Sequence, residues 1–133
     1  MTAGPAWANV ANTPFREHKN TSFEGGIATP LIAWWPRVIK PAGALTPELG
    51  HIADLMATCL DVAGVAYPAQ FNGRDVLPLA GKSLVPVLKA GQRQGHQTLC
   101  WATSGSRAIR MAKRKLVAAR RGSWELYDLA DDR

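Results

Sequence analysis

The sequence predicts a mixed fold: a strand-and-helix piece of α/β type, followed by a small four-stranded antiparallel sheet. Three observations carry this. The run Ile27 to Trp35 (IATPLIAWW) is almost wholly apolar and does not alternate with polar residues, the pattern of a strand covered on both faces. Residues 47–63 place apolar side chains at helical spacing. Residues 98–129 hold four short β-prone runs separated by turn signals.

Residues 1–26 read as loop, with Asn12-Thr13-Pro14 and Gly25-Gly26 as turn signals. The apolar run 27–35 ends at Pro36, and 36–43 is a connector. The helix over 47–63 has Thr46 as a cap, Pro47 at its first position and Glu48 at its positive end. Leu49, Ile52, Leu55, Met56, Cys59, Leu60 and Ala63 form its apolar stripe, and Gly64 stops it. Loop follows over 65–97, with a helical turn near Ser83 to Leu88. The strands are expected at 98–103, 107–111, 115–119 and 123–129, with Gly105-Ser106 and Arg121-Gly122 turning the chain. The first piece lacks neighbours for its strand, so 27–35 should expose apolar surface and unpaired backbone.

The 133 residues suit one ordinary domain. An apolar fraction of 47% and a charged fraction of 20% exclude a disordered chain. A net charge of +6 suits an anionic partner without naming one. No segment has the character of a membrane span, and the first residues do not read as a signal peptide, so localisation is not legible. Cys59 and Cys100 sit in apolar surroundings and read as buried free thiols.

Several residues invite chemistry. His51 and Asp54 lie three apart on the expected helix; a solvated edge is the plainer reading than a shared metal. His18, His51 and His96 match no ligand spacing. Trp34 and Trp35, ending a buried strand, should pack in the core. Arg107, Arg110, Lys113, Arg114, Lys115, Arg120 and Arg121 could form a basic face for an anionic polymer, but aromatic residues do not interleave with them, and a solvated face is the expected reading. Nucleic acid is therefore not the expected partner.

The run NTPFREHKNTSFEGGIATPLIAWWP resembles the sulfatase family, the arylsulfatase-like sulfuric ester hydrolases. The resemblance continues in order through HIADLMATCLDVAGV, GKSLVPVL, SRAIRMAKRKLVAA and SWELYDLADD, and it covers nearly the whole chain. It implies that residues 1–66 are the C-terminal remnant of a large, alkaline-phosphatase-like α/β domain. Residues 67–133 would form a small antiparallel-sheet subdomain. It implies a sulfate ester as substrate, with Lys19 contacting the sulfate. A fixed ammonium there would meet the negative charge that develops as the S–O bond breaks. Glu24 with Gly25-Gly26 would shape the turn carrying Lys19, the glycines supplying backbone angles that other residues avoid.

The family's nucleophile arises from a C-x-P-x-R motif. Cys59 is followed by LDVA and Cys100 by WATS, so neither fits. The Asp-Asn pair that helps hold the family's divalent cation has no counterpart here. Calcium is thus expected only in a full-length family member. The hairpin also has Arg114 where the family's Gly-Asp-Trp-Lys has tryptophan. The expectation is a C-terminal part of a sulfatase, inactive alone; the alternative is a binding module whose basic hairpins hold anionic polymers.

Overall fold

A computed structural model gives the structure of residues 4–40 and 43–131. The first three residues, two in the expected 36–43 connector, and Asp132 with Arg133 lie outside the described residues. The chain forms two compact units: one from the described residues of 1–31 and 97–133, the other from those of 32–96.

The first unit is built on a four-stranded antiparallel sheet, β3 (Thr98–Thr103), β4 (Ser106–Met111), β5 (Arg114–Ala118) and β6 (Trp124–Asp128), in sequence order. These lie within a residue or two of the expected strands. Tight turns join them: Ser104 and Gly105 both take positive φ, as the favoured two-residue hairpin turn requires. Alternation along the strands sorts the side chains. Ala108, Val117, Trp101 and Tyr127 share the inner face and pack with Phe23 to form the core. Two helices precede the sheet in sequence, α1 (Pro5–Ala11) and the one-turn α2 (Glu24–Ile27). Both fall where the sequence reads as loop.

The second unit contains helix α3 (Ala53–Ala63), a two-residue-strand hairpin of β1 (Gln70–Phe71) and β2 (Arg74–Asp75), and helix α4 (Val85–Ala90). α3 starts six residues later than expected. Thr46 instead accepts a hydrogen bond from the Glu48 N–H and donates one to the Gly91 carbonyl. The stop is as expected, with Gly64 in the left-handed region at φ 65.

Three sequence expectations are corrected. No strand forms over 27–35, and Ile32 and Trp34 are 93% and 86% exposed. Among the described residues no segment pairs with this run, and a strand without a partner leaves its backbone groups to solvent. Trp34 is therefore outside any core. The apolar stripe of α3 is also turned outward: Ile52, Leu55 and Met56 are exposed, while Asp54 and Ala57 are buried. Cys59 lies on that outward stripe, and Cys100 on the sheet beside Ile109 rather than in the core. Both are exposed free thiols, not buried ones.

Candidate functional site

Lys19 lies on a tight loop that folds back on α2. The Thr21 N–H donates to the His18 carbonyl at 3.3 Å, and the Gly25 N–H donates to the Arg16 carbonyl at 3.0 Å. Glu17 and Asn20 flank the loop at φ 68 and 79. Asparagine bears the left-handed region readily; at Glu17 it costs about 1–2 kcal/mol. Gly25 and Gly26 have no positive φ, so freedom of backbone angle is not why they are glycine. A Cβ on Gly25 would lie 2.1 Å from the Glu17 carbonyl oxygen, and one on Gly26 would lie 2.2 Å from that of Thr21. The pair lets the Lys19 loop rest directly on α2. This corrects the expected role of the Glu-Gly-Gly turn: its glycines serve close approach.

The loop is fixed to the sheet by polar links. Lys115 Nζ donates to Glu24 Oε1 at 2.7 Å, and the two side chains are only 2% and 7% exposed. The Ser22 N–H donates to Ser106 Oγ at 2.9 Å, and that hydroxyl donates onward to the Ala118 carbonyl. Arg16 Nη1 donates to Glu125 Oε2 at 2.6 Å and to the Tyr127 hydroxyl at 2.7 Å, with its guanidinium over the Phe23 ring. A cleft of about 320 Å³ opens beside the Lys115–Glu24 pair, lined also by Arg16, Phe23 and Tyr127. Burial pushes the Lys115 ammonium below the usual lysine range, and its bond to Glu24 only partly offsets this. Lys19 itself is exposed and makes no side-chain hydrogen bond or ion pair among the described residues.

The second unit holds a separate polar cluster. Asp54, fully buried, accepts four hydrogen bonds. Oδ1 takes the Lys82 N–H at 2.8 Å and faces His96 Nε2 at 2.7 Å. Oδ2 takes the His51 N–H at 2.9 Å and Arg93 Nη2 at 2.6 Å. Burial alone would raise its pKa. The bonds from Arg93, the two backbone N–H groups and His96 outweigh that and hold it well below the usual carboxylate range. Arg93 is 2% exposed and also donates to the carbonyls of Lys82, Ser83 and Leu49. Asp54 is thus neither a solvated edge nor a metal ligand. It staples the 82–96 segment to α3 and reaches back to the His51 N–H as the acid of a capping box does.

Other sequence candidates separate. His51 and His96 have ring centroids 6.3 Å apart, whereas His18 belongs to the other unit. The basic residues do not share one face. Lys115 and Arg110 are cross-strand partners, while Arg107 pairs with Ala118 on the opposite side and lies over the Trp124 ring at 5.0 Å. Lys113 pairs with Asp128 at 3.0 Å. Among the described residues no group of three or more His, Cys, Asp or Glu side chains comes together, so the donors here do not fit a divalent cation. No described helix is long and apolar enough to cross a membrane.

The buried Lys115 was missed by sequence reasoning, which grouped it with its basic neighbours. The signal was its register. It sits two residues before Val117 in a short strand, so it shares the inward face of that core residue.

The model of the C-terminal part of N-sulphoglucosamine sulphohydrolase matches residues 17–133. The chain belongs to the sulfatase family. An uncharacterised sulfatase of Schizosaccharomyces pombe is 35% identical over 98% of this chain and 24% of its own length. The N-acetylgalactosamine-6-sulfatase of Canis lupus familiaris is 49% identical over 51% of the chain and 13% of its own length. An arylsulfatase of Klebsiella aerogenes is 33% identical over 74% of the chain and 21% of its own length. The chain therefore spans a quarter or less of these sulfatases, and the family model it matches is of a C-terminal part.

Proposed function

We propose that this chain supplies the C-terminal part of an enzyme hydrolysing sulfate esters, and that Lys19 contacts the sulfate group. The observation that carries the reading is the Lys19 loop. An exposed, unpartnered ammonium stands on a loop held to the sheet by Arg16 on one side and Glu24 on the other. The loop's backbone is tied down, so the fold sets where the Lys19 side chain starts, and an ammonium without a counterion is free to meet the charge that develops on the ester oxygens. Sulfatase membership adds the substrate class. The relatives' names divide between aryl and sugar substrates, so the proposal stays at sulfate esters. In this reading residues 1–66 are the C-terminal remnant of a large alkaline-phosphatase-like domain, and calcium and the nucleophile belong to the rest of that domain. The exposed run around Ile32 and Trp34 would self-associate when the chain is alone.

The chain carries no C-x-P-x-R motif, so alone it should not turn over 4-nitrophenyl sulfate. Turnover above a Lys19→Ala control would sink that expectation. The sulfate contact is tested by grafting this chain in place of the matching part of the Klebsiella aerogenes arylsulfatase. Lys19→Ala in the active chimera should lower kcat by roughly 100-fold or more with the circular dichroism spectrum unchanged. An unchanged kcat would refute the role.

A further inference from the structure

The Lys115–Glu24 pair joins the sheet to the residue that begins α2. We infer that Lys115 is a positioning residue for Lys19, acting through Glu24. This rests on the reading of Lys19 given above.

The mechanical connection is short. Glu24 is followed by Gly25 and Gly26, and the backbone of the Lys19 loop sits against both. The Gly25 N–H holds the Arg16 carbonyl, and there is no room for a Cβ between the glycines and the loop. A displacement of Glu24 therefore displaces residues 16–21. Lys115 is the second residue of β5, paired on either side with Arg110 of β4 and Tyr127 of β6, so its backbone is fixed by the sheet. The bond at 2.7 Å transfers that fixity to the loop.

Stability does not account for the pair. Burial disfavours the Lys115 charge more than Glu24 returns, and a well-packed apolar pair commonly does as well or better in such a place. An apolar pair would lack direction. A charge-assisted bond has one short geometry, and a loop that must hold a cation at a fixed point needs that geometry. The Lys115 ammonium faces Glu24 from α2, Arg110 from β4, Tyr127 from β6 and the Trp101 ring of β3 at 5.9 Å, with Arg16 across the cleft.

The test uses the full chain and limited trypsin digestion. Cleavage after Lys19 is timed against cleavage after Lys89, which lies in the other unit. The double variant Glu24→Leu, Lys115→Met removes both charges, leaves no buried amide unpaired and roughly keeps the volumes. It should keep the urea midpoint while cleavage after Lys19 speeds up roughly tenfold or more, as expected for losing a charged hydrogen bond that closes a loop. Exchanging the charges, Glu24→Lys with Lys115→Glu, should restore slow cleavage. A wild-type rate in the neutral variant, or fast cleavage in the exchanged one, would overturn the inference. A measurement on the unaltered chain covers the case in which the variants do not fold. Exchange of the Gly25 amide, whose N–H holds the Arg16 carbonyl, should be about as slow as that of the β5 amides of the same unit; exchange at the rate of an unstructured amide would overturn the inference equally. These readouts report where the loop is held, not what Lys19 touches. They can fail while the chimera's Lys19→Ala result stands, and the reverse.

Discussion

Replacing Asp54 by asparagine keeps the volume and removes one charge from the centre of the second unit. The structure fixes what is lost. Arg93, 2% exposed, would keep its charge with only carbonyl partners, and an amide nitrogen would face one of two backbone N–H donors. Breaking a buried ion pair from one side costs about 3–5 kcal/mol. For a unit of this size that is a fall in midpoint of roughly 15 °C or more. The assay is urea unfolding at pH 7, with hydrogen exchange of α3 amides to assign the loss to its unit. The pH dependence checks the cause. Asp54 is held below its unfolded value, so its contribution is complete above about pH 4 and is lost as pH falls further. The variant should lack that acid-side loss. Adding Arg93→Met should recover part of the stability, since the orphaned charge goes too. A loss under about 1 kcal/mol, or an unchanged acid limb, would refute the view that Asp54 is the unit's ionic centre.

Three further outcomes are expected. Gly25→Ala should destabilise the first unit by about 1–3 kcal/mol, because its Cβ meets the Glu17 carbonyl and neither side is a flexible tip; a wild-type urea midpoint would contradict the close approach. Lys19→Ala should leave stability within about 0.5 kcal/mol, since its side chain is exposed and unpaired; a larger loss in the same titration would show a structural role. Trp34→Ser should reduce self-association of the isolated chain in light scattering, as it removes the indole from an exposed apolar run; an unchanged mass distribution would place the contact elsewhere.

The sheet was legible because its information is local. Four short β-prone runs, with Gly105 and Gly122 in two of the turns between them, mark both strand positions and hairpin order, and each observed strand pairs with its sequence neighbour. The run 27–35 misled for the opposite reason. Its apolar character reports that something covers it, whereas strand formation depends on partners that no residue of the run specifies. Lys19 could be picked out only through family resemblance, because an exposed lysine carries no local mark. Lys115 carried one, its inward register, but recognising its partner needed Glu24, 91 residues away.

α3 shows how a correct pattern can give the wrong inside. Its apolar residues do form one stripe, yet the face packed within the unit carries Asp54, Ala57, Thr58 and Asp61. Asp54 binds the 82–96 segment, the Thr58 hydroxyl accepts the Leu84 N–H at 2.9 Å, and Asp61 accepts from Ser83. A helix can turn a polar face inward only where the facing chain offers donors in matching number. The segment 82–96 does so with backbone N–H groups, Arg93 and His96. The unit's buried apolar residues, Leu84, Val85, Val87 and Ala57, add a small core beside these bonds. The unit is therefore held by a polar cluster as well as by apolar packing. Such a unit should lose stability steeply in acid, where Asp54 must take a proton, and respond weakly to salt, because its central charges are buried beyond the reach of screening ions. A urea midpoint for the α3 amides that falls between about pH 4 and pH 2 but changes little between low and about 0.5 M salt would bear this out. The reverse pattern would return the burden to apolar packing and surface charge.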